Sequence, residues 1–250
     1  MERQGDGGGG KFRRHQWSAT ARDALLVVLS VVGGSVDAMV YLGVAQVFPA
    51  NMTGNTALLG IALSQAHWAD LLAGGVALAG FIVGIAAGAA IVDRSRDDAL
   101  WPSVVTAAVA LECAALIAFA LEWNLVFAEL DGAVVYLLIA TAAVAMGLQA
   151  AAVRRLGVPS ITATFVTGTL ASLVTRLVRR IRMAIVPNAE PTGRASTREL
   201  LQPASVLLAY AAGATLGSFL VLRWGSSASV LPAVLVTAVA ATAAILYRRS

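Results

Sequence analysis

From residue 23 onward the chain is a succession of long apolar runs cut by short polar breaks. Six runs suit membrane crossings: about residues 24–46, 71–92, 102–121, 133–153, 204–222 and 229–247. They are apolar all round, without the polar stripe at helical spacing of a soluble surface helix. A spanning helix takes about 20 apolar residues, so each run predicts one crossing. Two further apolar segments, 53–66 and 163–175, are shorter. A helix of about 14 residues reaches about 21 Å, against a hydrocarbon core of about 30 Å. The expected fold is an all-α membrane protein with about six transmembrane helices plus two short re-entrant half-helices. Short, tilted crossings are the other option for those two segments.

The pattern repeats. GSVDAMVYLGVAQVFPANMTGNTALLGIAL (34–63) parallels GLQAAAVRRLGVPSITATFVTGTLASLV (147–174). In each copy an apolar run ends near a proline, Pro49 or Pro159. A short polar stretch follows, then Thr53-Gly54-Asn55 or Thr167-Gly168-Thr169. LAGFIVGIAAG (78–88) resembles LAYAAGATLG (208–217), which aligns Gly84 with Gly213 and Gly88 with Gly217. Pro102 aligns with Pro232. The repeats span about 24–121 and 133–247 within one transmembrane domain, 23–247. Three crossings per half is an odd number, so the second copy is expected to enter from the opposite face. In inverted-topology repeats the solute site lies near the midplane, at interrupted helices.

Composition agrees with membrane residence. Hydrophobic residues make up 58% and charged residues 13%, against about 25% charged in a soluble domain. The net charge of +4 is explained by topology rather than nucleic acid, because the basic residues fall between the apolar runs. With the N-terminus inside and both short segments re-entrant, every Lys and Arg except Arg223 faces the cytoplasm, as the positive-inside rule asks. Full crossings would move Arg94, Arg96, Arg154 and Arg155 outside. Both termini are therefore expected in the cytoplasm. Residues 1–22, with GDGGGG, Lys11, Arg13 and Arg14, predict a disordered tail. Residues 179–203, with Pro187, Pro191, Gly193 and Pro203, predict a basic loop. Cys113, the only cysteine, excludes an internal disulfide.

Asp37 is the sharpest chemical candidate, a little past the middle of the first run. A carboxylate at the centre of a spanning helix costs about 2.5–3.5 kcal/mol on insertion scales, so it faces a cavity or a partner. It predicts a proton or cation site. The structural alternative is a hydrogen bond between helices or a cap on backbone near Gly33-Gly34. Glu112, in the third run, follows the same logic and has no acidic counterpart in the second half. Asn51, Thr53, Gly54, Asn55, Thr164, Thr167, Gly168 and Thr169 supply neutral groups at the half-helix starts, with Gln149 a weaker companion. Half-helix N-termini would welcome an anionic or hydrogen-bond-accepting solute. The alternative is polar residues that bind one another and close the bend.

Gly80, Gly84 and Gly88, echoed by Gly213 and Gly217, form small-residue ridges. These suit helix packing first and a homodimer face second. Arg176, Arg179, Arg180 and Arg182 read as a solvated cationic cluster, with contact to anionic lipid as a further option. No metal or cofactor is expected: His15 and His67 stand far apart, with no HExxH or CxxC. No Walker motif or nucleophile elbow is present, so an enzyme or a primary ATP-driven pump is not expected.

Gly34, Asp37, Ala38, Tyr41, Phe48, Asn51 and Thr53-Gly54-Asn55 resemble the signature of the YoaK-like family. The resemblance covers about residues 20–247. It implies a multi-pass protein of the bacterial plasma membrane with about six crossings, and it brings no settled substrate. The functional expectation is a secondary transporter or permease for a small polar or ionic solute, with proton coupling as an option. The alternative is a non-transporting membrane scaffold or regulatory subunit.

Overall fold

The computed structural model describes residues 7–95, 97, 99–126, 132–157, 166–185 and 197–247. The helices are α1 (Gly7–Gly43), α2 (Met52–Ser64), α3 (Trp68–Val92), α4 (Ser103–Val126), α5 (Gly132–Arg155), α6 (Val166–Ile185), α7 (Thr197–Trp224) and α8 (Val230–Leu246). A tight 3-10 turn, Gly225–Ser229, links α7 to α8. No strand occurs among the described residues. Five stretches are long and apolar enough to cross a membrane: Ala19–Gly43, Trp68–Val92, Ser103–Leu125, Gly132–Arg155 and Leu200–Leu246. The last contains α8 and all of α7 but its first three residues. At 13 residues, α2 is about 20 Å long, too short to span.

Three boundaries differ from the expectation. Helix α1 continues back to Gly7, where composition predicts a disordered tail. Helix α6 runs to Ile185, well past the expected end near residue 175. Leu177, Val178 and Ile181 keep the helical apolar spacing through the arginine cluster, so charge alone does not end the helix. The expected basic loop at 179–203 loses its two ends to α6 and α7.

Two close crossings organise the bundle, α1 on α7 and α5 on α3. Glycines set both. A Cβ on Gly34 would run into the Tyr210 carbonyl, one on Gly213 into Val31, and one on Gly217 into Ser35. In the other crossing, a Cβ on Gly147 would run into the Phe81 carbonyl, one on Gly84 into Val144, and one on Gly88 into Ala151 and Leu148. The ridges thus bring backbones together within one chain. That replaces the homodimer role considered for them, because buried glycines packed on another helix are not available to a second copy.

The contacts also fix helix direction. Val31 with Gly213, Ser35 with Gly217 and Gly43 with Val221 advance together, so α1 and α7 are parallel. Gly80, Gly84 and Gly88 advance along α5 in the same way, so α3 and α5 are parallel. Helices α4 and α8 are antiparallel. The Cys113 Sγ and Thr237 Oγ1 atoms lie 3.0 Å apart. Toward the other end of α4, the Asn124 amide donates to Ser229 Oγ at 3.1 Å and to the Ser226 carbonyl at 3.3 Å. Trp101 before α4 stacks on Tyr247 after α8, with ring centroids 5.7 Å apart. The Arg155 guanidinium donates to the Ser95 and Asp97 carbonyls at 3.1 and 2.8 Å, tying the C-terminal ends of α5 and α3 together.

Candidate functional site

The polar residues of the first repeat gather where the chain turns from α1 into α2. Asp37 is 2% exposed, and each carboxylate oxygen accepts a hydrogen bond. The Ala50 N–H donates to Oδ1 at 2.6 Å, and the Tyr210 hydroxyl donates to Oδ2 at 2.5 Å. The Asn51 N–H reaches the same carboxylate. Asp37 lies six residues before the end of α1, so the loop doubles back about 9 Å along that helix. The carboxylate thereby holds three pieces of the molecule: α1, the start of α2, and α7.

Asn55 closes the loop from the other side. Its Nδ2 donates to the Phe48 carbonyl at 2.6 Å, and the Phe48 N–H donates to its Oδ1 at 2.8 Å. This fully buried side chain satisfies a backbone segment that no secondary structure pairs. Asn51 caps α2, its Oδ1 accepting from the Gly54 N–H at 3.2 Å. Tyr41 stacks on Phe48 with centroids 4.7 Å apart. Thr53 is exposed on the first turn of α2. The start of α2 therefore already faces a carboxyl group of the same chain, Asp37.

The second Thr-Gly element is different. Thr167 and Gly168 are exposed on the first turn of α6, and Thr169 is buried. Thr164 lies outside the described residues. The position matching Asp37 is Ala150, and the position matching Tyr210 is Phe81.

Glu112 is fully buried on α4, and neither carboxyl oxygen has a hydrogen-bond partner among the described residues. Gln149 donates through Nε2 to the Leu29 carbonyl of α1 at 3.0 Å, while its Oε1 has none. The Thr141 hydroxyl donates to Glu122 Oε1 at 3.4 Å and sets the register of α4 against α5. Counting from that pair, Glu112 and Gln149 come within about 3 Å of the same depth. Leu29, at the same level as Gln149, lies about 12 Å along α1 from Asp37. Two polar levels result, one around Asp37 and one around Glu112 and Gln149. They do not merge into a single cluster. An apolar groove of about 560 Å³ between α4 and α8, lined by residues such as Ile117, Leu121, Val234 and Ala238, contains none of these candidates. No group of His, Cys, Asp and Glu suited to a metal occurs among the described residues.

Tyr210 is the residue that sequence reasoning missed. It stands 173 residues from its partner. One signal was present: the repeat alignment places it opposite Phe81, so one half carries a hydroxyl where the other carries none.

Long apolar helices packed through glycines, with a loop returning to a buried carboxylate, define a multi-pass helical membrane protein. Residues 25–242 match a family described as a protein of unknown function, DUF1275, and the chain belongs to that family. The chain is also similar to the UPF0700 transmembrane protein YoaK of Bacillus subtilis (strain 168). The two are 38% identical over 165 residues, which cover 66% of this chain and 71% of the relative. No solved structure matches the chain.

Proposed function

We propose that this protein is a small secondary transporter or permease for a small polar or ionic solute, built as two inverted repeats, with α2 re-entrant and α6, at the corresponding place in the second repeat, returning the chain to the face it left without crossing. The observation that carries this reading is helix direction. Helix α1 is parallel to α7, α8 is antiparallel to α4, and Trp123 at the end of α4 lies against Gly43 at the end of α1. Helix α4 therefore runs with α1, and α3 runs against it. A chain that leaves α1 at one face then begins α3 at that same face, so α2 enters and returns. Helices α5 and α7 stand in the same relation about α6. Helix α5 runs opposite to α1, as an inverted repeat requires, and the matched glycine crossings support the same pairing. Transporters rock such repeats about interrupted helices. The face bearing Arg22, Arg94, Arg154 and Arg155 is assigned to the cytoplasm of a bacterial plasma membrane by the positive-inside rule.

Asp37 is the coupling residue in this reading. Both of its oxygens accept hydrogen bonds, the role of an ionised carboxylate. Protonation removes acceptor capacity and loosens either the Tyr210 or the Ala50 contact, freeing α7 or the loop. Because Asp37 already faces the start of α2, a cation or neutral hydrogen-bonding solute suits that end better than an anion. A scaffold or regulatory subunit is the second reading. The separation of the Asp37 and Glu112 levels favours it.

The test is a solute-dependent thermal-shift screen on the purified protein, followed by proteoliposome uptake with and without a pH gradient. The expected result is a stabilising solute that accumulates against its gradient, with Asp37→Asn abolishing accumulation but sparing exchange. A screen in which no stabilising solute is moved, with Asp37→Asn silent in stability, overturns transport in favour of the scaffold.

A further inference from the structure

Helix α6 is unlike every other helix among the described residues. It is the one with a clean division between an apolar and a charged side, and it is not among the stretches apolar enough to cross. At about 100° per residue, Val166, Leu170, Leu173, Val174, Leu177, Val178 and Ile181 fall within an arc of about 140°. Arg176 and Arg179 lie on the opposite side, and Arg180 and Arg182 border the arc at its two edges. Among the described elements α6 packs on α7 alone. Its apolar arc is left uncovered, with Leu170 49%, Leu177 47% and Val178 58% exposed. Thr169, on the polar side, is buried instead. The helix thus turns its polar side partly toward the protein and its apolar side away from it.

Helix α6 follows the Arg155 end of α5 and precedes the start of α7. It therefore belongs to the face that carries Arg94, Arg154 and Arg155. A long amphipathic helix with cations along its apolar edge suits the boundary between acyl chains and headgroups. Arginine stems lie along apolar surface while their guanidinium groups reach outward, where phosphodiesters accept bidentate hydrogen bonds. We propose that α6 lies in the bilayer interface and binds anionic phospholipid, with the apolar arc sunk among acyl chains and Arg179, Arg180 and Arg182 on the headgroup phosphates. The occupant is assigned by charge complementarity, since a zwitterionic headgroup offers its phosphate but no net negative charge to balance three edge and outer cations.

The full-length protein, with Cys113→Ala and a donor dye on Val178→Cys, is reconstituted into phosphatidylcholine nanodiscs. Energy transfer is measured to acceptor-labelled phosphatidylglycerol or phosphatidylcholine present in trace. The expected result is preferential transfer to phosphatidylglycerol that weakens as salt rises. Arg179→Gln/Arg180→Gln/Arg182→Gln should reduce that preference on the order of tenfold or more, and the corresponding Lys variant should retain most of it. Bromination of the upper acyl chains should quench a dye at Val178→Cys more than one at Thr175→Cys on the polar side. Equal transfer to both lipids, a preference unchanged by the triple Gln variant, or equal quenching at residues 175 and 178 overturns the proposal. Correct folding of the Gln variant is read independently from an unchanged unfolding midpoint in phosphatidylcholine.

Discussion

The crossing of α1 with α7 and the crossing of α5 with α3 are built to the same stagger. Gly34 lies under the Tyr210 carbonyl as Gly147 lies under that of Phe81. Gly213 meets Val31 as Gly84 meets Val144, and Gly217 meets Ser35 where Gly88 meets Leu148. One crossing then carries Asp37 and Tyr210, and the other carries Ala150 and Phe81 at the corresponding positions. The backbone approach is set by absent side chains, and the chemistry is set by a few side chains next to it. The two can change independently, which is how one packing solution serves both a polar and an apolar crossing.

The strongest test of this likeness is steric. Gly84→Leu and Gly213→Leu should each prevent assembly, because the obstacle in both is a backbone carbonyl that cannot step aside. The Ala versions should each destabilise by about 1–3 kcal/mol, read as matched losses in thermal unfolding of detergent-solubilised protein. Tolerance at one site and collapse at the other would break the equivalence.

A smaller effect separates the chemistry. Tyr210→Phe removes a hydrogen bond to a carboxylate and should lose about 1.5–3 kcal/mol. The reciprocal Phe81→Tyr should gain nothing alone, since Ala150 offers no acceptor. Adding Ala150→Asp to Phe81→Tyr should recover part of the loss caused by Ala150→Asp, and a double-mutant cycle measures that coupling. Strictly additive effects would mean that the shared stagger does not place positions 81 and 150 as it places 210 and 37.

The smallest expected effect is that of Cys113→Ala. Thr237 retains its bond to the Ala233 carbonyl at 2.6 Å, so the loss should stay below about 1 kcal/mol. That background then reports orientation. Ser227→Cys should react with an impermeant reagent added outside, and Ser95→Cys should not. Labelling of Ser95→Cys would reverse the assignment of faces, while the inverted pairing, which rests on helix direction, would stand.

The apolar runs made the spanning helices legible, because their length and all-round hydrophobicity leave few other options. The glycine ridges were legible as packing surfaces, though not their partners, since spacing names one side of a contact only. Asp37 stood out by the energy of placing a carboxylate at its depth, but Tyr210 did not. A tyrosine in an apolar run is unremarkable until the fold brings a carboxylate to its hydroxyl. Asn55 was visible as part of Thr53-Gly54-Asn55, and its service to the Phe48 backbone was not, because irregular backbone leaves no periodic trace. The length of α6 was hidden by its arginines, which read as a solvated loop when their side of the helix is not considered.

The loop in front of α2 bears on how the protein is made. The contacts of Asp37 with Ala50, Phe48 with Asn55 and Tyr41 with Phe48 all fall between residues 37 and 55. That unit can close as soon as α2 has left the ribosome. Tyr210 follows Asp37 by 173 residues, roughly 10–35 s of synthesis. For that interval the notch at Gly34 and one oxygen of Asp37 await α7, facing lipid or whatever insertion machinery shelters the nascent chain. A delay before α7 arrives exposes a half-finished crossing, so slow codons between α5 and α7 should lower the yield of assembled protein more than the same codons placed after α7.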